Sequence, residues 1–347
     1  MLYELTQAIP DRSLTVEEIR AAADALLAAT EPDSQKETFL TAWAQRGETA
    51  EELAACAEAF LPRAVDPGVR GAWNGKPLLD CCGTGGGGLN LVNISTGMMF
   101  ILAALGIPVV KHGNRGMTKK SGSADVLEAL GLRIDFNPAK VIHGLEETGC
   151  AFLFAPACHP SFAAIAPVRR TLGAKSQRTI FNLLGPLLNP AWPEARMTGV
   201  FRREHLALYR QALELMRCPR FTVAYGEDAE SHRPLGEASA QGKTIFAGTL
   251  PVTEIEFNPA PIKPRKLEEL FVTDAAGSAR RLLAILSGEE KGLGRETLLL
   301  NAAVAAWTHG TAASIEEGLA LGGEALDSGR ALERLKKWRE FSRRMAA

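Results

Sequence analysis

The sequence predicts an α/β protein in which a small helical domain precedes a larger α/β domain with a central, mostly parallel sheet. Three observations predict it. Residues 13–61 carry acidic caps and apolar residues at helical spacing, with no strand-like run among them. A Pro/Gly-rich stretch, "RAVDPGVRGAWNGKP", then interrupts the helical texture. From Leu78 onward, short apolar or β-branched runs bounded by glycine or proline alternate with helical stretches, the pattern of a parallel sheet covered by helices.

The first helix follows from "SLTVEEIRAAADALLAA", where Ser13 or Thr15 with Glu17 and Glu18 supplies a capping box. Two further helices are expected near Ser34–Ala44 and Thr49–Phe60. "PLLDCC", "IPVVKHG", "AFLFAPA" and "FTVAYG" read as strands. Between them, "NISTGMMFILAALG" reads as a helix starting around Asn93 to Thr96 and closed by Gly106. "GSADVLEALG" reads as another, capped by Ser123 and closed by Gly131. The segment from Ser314 forms closing helices whose basic last turns suit the negative end of the dipole, and "RLKKWREFSRR" reads as a solvated face.

The chain has 347 residues, 46% of them apolar, enough to bury a sizeable core. Its 39 Lys and Arg against 40 Asp and Glu leave a net charge of −1, so no global field draws nucleic acid or an anionic membrane. The first twenty residues carry acids and a proline where a signal peptide would need an apolar core, and a cytoplasmic location is the expectation. The six cysteines form no C-x-x-C pair and read as small buried fillers in a reducing compartment.

Residues 80–88, "DCCGTGGGG", fit the dinucleotide fingerprint G-x-G-x-x-G. A dinucleotide turn also needs a helix beginning within the loop and an acid about 20 residues on. Here the helix starts only at "NIST", and the next strand ends in the cationic Lys111-His112-Gly113-Asn114-Arg115. A P-loop fails because Leu89 follows Gly88 in place of Lys-Ser/Thr. What remains is a glycine loop, a helix start bearing Asn93, Ser95 and Thr96, and a cationic strand end, which together predict a polyphosphate site at the sheet edge. Taken singly, Ser95 or Thr96 reads equally as a helix cap, His112 as a packing histidine, and Lys111 as an exposed strand end.

These segments, "GTGG", "NIST", "KHGNR" and "SGSADVLEALG", followed by "FLFAPACHPSF" and "RTIFNLLGPLLNPA", closely resemble the anthranilate phosphoribosyltransferase family, which shares its fold with the pyrimidine nucleoside phosphorylases. The match runs from about Leu78 to Ala191 and more diffusely to both ends. It implies transfer of a phosphoribosyl group from phosphoribosyl pyrophosphate to the amine of anthranilate, a step of tryptophan biosynthesis, with no protein nucleophile. By position, Gly83, Gly86 and Gly87 belong to the loop over the diphosphate. Asn93, Ser95 and Thr96 supply phosphate and metal contacts, and Lys111, His112, Asn114, Lys119 and Ser123 surround the phosphoribosyl moiety. For the acceptor the resemblance implies Gly83, Asn114, His159 and Arg169, with His112 in the same channel. It also implies a small domain of residues 1–70 with helices from about 163–190 packed on it, a large domain of residues 71–347, substrates bound between the two, and a homodimer.

The sequence departs from the family pattern in ways that bear on metal. Gly87 stands for the usual Asp, Leu91 for a phosphate-binding Thr, and Thr118-Lys119 for a Ser-Ser pair. The adjacent Asp-Glu of the second metal site aligns with Gly236-Glu237, so one Mg2+, held by Ser95 and Glu237, is the expectation. Asp228 and Glu230 are the acids that could replace the missing one. Two other readings are glycosyl transfer or phosphorolysis on another acceptor, such as a nucleobase, and a non-catalytic relative that binds nucleic acid or another polyanion.

Overall fold

A computed structural model describes residues 1–85, 88–116, 121–134, 140–249, 255–257 and 265–345, the backbone alone at 255–257. Four helices open the chain: α1 (Leu2–Ala8), α2 (Val16–Leu27), α3 (Asp33–Arg46) and α4 (Ala50–Phe60). Thr15 is the cap of α2: its hydroxyl accepts the Glu18 N–H and the Glu18 carboxylate accepts the Thr15 N–H. Thr49 and Glu52 repeat this box on α4.

Seven strands follow: β1 (Leu79–Cys81), β2 (Val109–Gly113), β3 (Cys150–Phe154), β4 (Ala195–Gly199), β5 (Arg220–Gly226), β6 (Thr244–Gly248) and β7 (Ile255–Phe257). They form one sheet in the order β3-β2-β1-β4-β5-β6-β7, parallel from β3 to β5 and antiparallel at β6 and β7. The chain builds outward from β1 through β2 to β3, then returns to place β4 on the other side of β1. Such a reversal opens a crevice at the carboxyl ends of β1 and β4.

Helices α5 (Ile94–Ala104), α6 (Ser123–Ala129), α7 (Val141–Thr148), α8 (Ala155–Cys158), α9 (Ala166–Ala174) and α10 (His205–Leu215) join the strands. Helices α11 (Ala275–Leu286), α12 (Leu293–His309), α13 (Ile315–Asp327) and α14 (Arg330–Arg344) close the chain. Strand alternation divides the interior. Leu79, Cys81, Val109, Phe152 and Met197 face a core shared with α5, α12 and α14. On the opposite face, Phe221, Val223 and Ile245 belong to a second core that includes α1–α4, α10 and residues of 165–188. Within 163–190 the only α-helix is α9; residues 180–182 and 185–187 are single 3-10 turns, the second opened by Gly185 and Pro186. Among the described residues no helix is long and apolar enough to cross a membrane.

Candidate active site

At the carboxyl edge of the sheet, Lys111 on β2 is buried, and its Nζ donates to the carbonyl oxygen of Cys81 at the tip of β1 and to Ser95 Oγ, 3.2 Å away in the first turn of α5. One ammonium thus ties together three elements that are separate in sequence, and Lys111 is not an exposed strand end. Burial pushes the Cys81 and Cys82 thiols up to about 12, so neither is a thiolate near neutral pH.

The next residue along β2 faces the other way. His112 Nδ1 lies 3.1 Å from the carbonyl oxygen of Gly185, which makes Nδ1 the protonated nitrogen and leaves Nε2 a buried acceptor with no partner. Burial pushes His112 down to about 4, and burial together with His112 does the same to His159, whose Nε2 sits 2.9 Å from the Leu188 carbonyl. Both rings are therefore neutral near pH 7. They meet edge to face at 5.2 Å, and His159 stacks on Phe162, also at 5.2 Å. Phe162 in turn meets Phe181 edge-on at 5.6 Å, and the Arg169 guanidinium of α9 lies over Phe181 at 5.3 Å. Burial lowers the pKa of Arg169, although a guanidinium stays charged. The result is a contiguous run of packed rings from β2 to a cation.

Asn93 holds the cap position of α5, yet its side chain caps nothing. Its Oδ1 accepts hydrogen bonds from Ser121 Oγ (2.7 Å) and Ser278 Oγ (2.9 Å), and its N–H donates to Ser278 Oγ at 3.0 Å. Thr96 Oγ1 is buried without a partner. Neither Ser95 nor Thr96 is the helix cap. Asn114 turns its Oδ1 onto the N–H of Arg115 (2.7 Å), and Asp125 accepts the N–H groups of Gly116 and Gly122 at 2.8 and 2.9 Å. Ser123 is the first residue inside α6 and not its cap: Gly122 takes that position, while Ser123 Oγ donates to the Asn114 carbonyl at 3.3 Å. The loop after β2 is thereby closed on itself. Gly122 is required there, because a Cβ would overlap the backbone of Arg115 and Gly116.

Gly83 lies where β1, β4 and the segment before Glu237 converge; a Cβ on it would meet the carbonyl oxygens of Gly199 and Gly236 at 3.3 and 3.6 Å. Gly199 and Gly236 approach so closely that a Cβ at Gly199 would overlap the Gly236 carbonyl. This contact brings Glu237 beside the β1 tip, where its charge acts on Lys111, Cys81 and Cys82. Asn301 on α12 fixes the next residue: Oδ1 accepts the Ala238 N–H and Nδ2 donates to the Ala238 carbonyl, both at 2.9 Å. Asp228 is engaged within its own segment. Its carboxylate accepts Ser231 N–H and Oγ (2.8 and 2.6 Å) and Gln241 Nε2, closing a turn, and Glu230 is exposed. Gly86, Gly87, Thr118, Lys119 and Lys120 lie outside the described residues.

Several further residues at this edge are not marked as site residues by type or spacing. Asp80 is buried, accepts the His112 N–H at 3.2 Å, and leaves Oδ2 without a partner. Burial raises its pKa, against the pull of Lys111 and Arg196. Arg196 on β4 is buried on the Pro186 carbonyl (2.9 Å), and Ser121, Ser278 and Asn301 act from segments far along the chain.

Comparison with known proteins is consistent along nearly the whole length. A model described as "Glycosyl transferase family, helical bundle domain" matches residues 5–64, and one described as "Glycosyl transferase family, a/b domain" matches residues 75–332. The chain is 37% identical over 340 residues to an anthranilate phosphoribosyltransferase of Chlorobium phaeovibrioides, covering 95% of this chain and 93% of that protein. With that of Thermomicrobium roseum it shares 36% over 344 residues, covering 99% and 97%. The crystal structure of anthranilate phosphoribosyltransferase from Thermus thermophilus superposes with a TM-score of 0.86 at 36% identity, covering 97% of this chain and 98% of that one. The Saccharomyces cerevisiae enzyme in complex with PRPP and Mg superposes at 0.84 with 25% identity, covering 98% and 97%.

Proposed function

We propose that this chain, which belongs to the anthranilate phosphoribosyltransferase family, transfers the phosphoribosyl group of phosphoribosyl pyrophosphate to the amine of anthranilate and releases pyrophosphate. The observation that carries this reading is the meeting of β1, β2 and α5 on the Lys111 ammonium, while the next residue of β2, His112, begins a run of packed rings that ends at Arg169. Pyrophosphate departs as C1 of the sugar becomes cation-like, so the reaction needs fixed positive charge and donors at the leaving group more than a nucleophile. Lys111, the first turn of α5 and the loop after β2 supply them. An aromatic wall of this kind suits a flat aryl ring, and the guanidinium at its end suits a carboxylate. In this reading the neutral His112, whose Nε2 lone pair has no protein partner, is the acceptor for an N–H of the amine.

Magnesium fits the donor set. Ser95 Oγ and the Glu237 carboxylate are oxygen donors of the kind this ion takes, and it completes its shell with substrate phosphate oxygens and water. Among the described residues there is no group of three or more His, Cys, Asp or Glu that would form an all-protein cage, and such an ion needs none. When bound it neutralises the departing diphosphate. Replacing Glu237 with Gln should raise the magnesium concentration for half-maximal donor binding by about tenfold, a loss of one charged ligand; calorimetric titration at fixed donor reads it, and an unchanged midpoint would remove Glu237 from the metal.

Arg169→Ala should raise the anthranilate KM by about 10- to 100-fold, as expected for a lost charge-assisted contact, with the donor Kd within twofold of wild type. Pyrophosphate release from anthranilate, with nucleobases and other aryl amines as alternative acceptors, tests the reaction itself. Turnover of a nucleobase in place of anthranilate would overturn the proposed acceptor. A division into residues 1–70 and 71–347 with substrates between them, a cytosolic location and a homodimer pairing through the helical part complete the proposal.

A further inference from the structure

We infer that Ser278, on α11, is a positioning residue that sets which way the Asn93 amide faces; this rests on the reading that Asn93 contacts the diphosphate. An asparagine at a helix cap ordinarily turns its oxygen back onto the first-turn N–H groups. Here Oδ1 is taken by two hydroxyls, Ser121 and Ser278, at 2.7 and 2.9 Å. Ser278 also receives the Asn93 main-chain N–H at 3.0 Å, so a single hydroxyl grips both the backbone and the side chain of the same residue across 185 positions of sequence.

Two consequences follow from the donor and acceptor inventory of an amide. With the oxygen occupied, the two N–H bonds of Nδ2 are directed away from the serines, and the amide presents donors at the start of α5 where an unlocked one could flip and present its oxygen. In the first turn of α5 the Ile94 and Thr96 N–H groups donate to the Val92 and Asn93 carbonyls (2.8 and 3.1 Å), and the Ser95 N–H, uncapped by any side chain, stays available to an anion. The grip is rigid because the preceding segment is strapped down by residues of the same late region. Val92 N–H donates to the Leu270 carbonyl (2.8 Å), Asn90 Nδ2 donates to the Val272 carbonyl (2.5 Å), and Val272 N–H donates to the Asn90 carbonyl (2.9 Å). Ser278 itself is fully buried, so its hydroxyl has no water to exchange for Asn93. It serves donor recognition without touching the donor.

Calorimetric titration of phosphoribosyl pyrophosphate with magnesium into the wild type, Ser278→Ala, Asn93→Ala and the double variant tests this. The expected result is a donor Kd weakened about tenfold by Ser278→Ala, the size of one lost orienting hydrogen bond. The same substitution should have no further effect once Asn93 is Ala, and the anthranilate KM should stay within twofold. A merely structural serine would weaken binding equally in both backgrounds, and that additivity overturns the inference, as does an unchanged Kd in the single variant. Should Ser278→Ala fail to fold, Ser121→Ala reads the other half of the same lock and should show the same donor-selective, Asn93-dependent loss. A wild type that ignores the donor sinks the proposed function and this inference with it, whereas a binding wild type with an indifferent Ser278→Ala sinks the inference alone.

Discussion

Replacing Lys111 with methionine should lower kcat/KM for phosphoribosyl pyrophosphate by about 10²- to 10³-fold, the range seen when one preorganised donor to developing charge is removed. The Nζ is buried between the Cys81 carbonyl and Ser95 Oγ. An ammonium has three N–H donors, so one remains for an anion at the sheet edge. Burial works against the charge, and the acids Asp80 and Glu237 work for it; the net effect is a pKa above the ordinary lysine value. It is therefore a full positive charge in a low-dielectric setting, where a charge is worth more than at the surface. Methionine keeps the length and apolar stem while deleting the charge. Asp80, already raised by burial and held down in part by Lys111, should then bind a proton in the folded protein, so a modest loss of thermal stability accompanies the kinetic one. Initial rates at varied donor, with anthranilate saturating, check the prediction. A loss below about threefold would mean that Lys111 only staples the strands together.

The parts of this architecture that the sequence displays are those whose chemistry is local. β1, β2, β3 and β5 stand out because apolar runs end abruptly at Gly or Pro. β4 does not, because "ARMTG" places Arg196 in mid-strand, and a buried arginine reads as polar until its partner, the Pro186 carbonyl, is seen. α12 is buried on nearly all sides, so it lacks the amphipathic period that marks a surface helix. The same division runs through the site. Lys111, Asn93 and Ser95 sit in compact motifs within about forty residues, and the structure brings Lys111 and Ser95 into contact. Ser278 and Asn301, by contrast, are single small polar residues in helices, and their roles exist only through contacts to Asn93 and Ala238 far earlier in the chain. Ser123 misleads for a related reason: a serine after glycine has the right type for a cap, but Asp125 accepts the Gly122 N–H within a loop closure that sequence spacing does not display.

Glu52→Ala should destabilise the helical part of the protein by about 3–5 kcal/mol, the cost of breaking a buried, hydrogen-bonded charge. Glu52 is wholly buried and gathers the Leu14 N–H (2.8 Å), Trp43 Nε1 (3.0 Å), the Thr49 N–H (3.0 Å) and the Arg46 guanidinium. It thus joins the segment before α2, the end of α3 and the start of α4. Burial alone would raise this carboxyl, but the donors from Arg46, Trp43, Leu14 and Thr49 prevail and hold it below the ordinary glutamate value. A carboxyl whose folded-state pKa is depressed contributes stability that is complete above the unfolded-state value and is lost as pH falls through the folded one. Wild-type stability should therefore decline below about pH 4.3, the unperturbed glutamate pKa, and Glu52→Gln should flatten that decline; denaturant melts between pH 3 and pH 7 measure both. The consequence reaches the site through α9, whose Val168 and Leu172 share a core with Phe39, Trp43 and Leu53 and whose neighbouring Lys175 pairs with Glu37 of α3 at 3.2 Å. α9 carries Arg169, whereas Lys111 and Ser95 rest on the other face of the sheet. Loosening the helical part should accordingly raise the anthranilate KM and spare donor affinity. Equal loss on both substrates would show that the two cores move as one body.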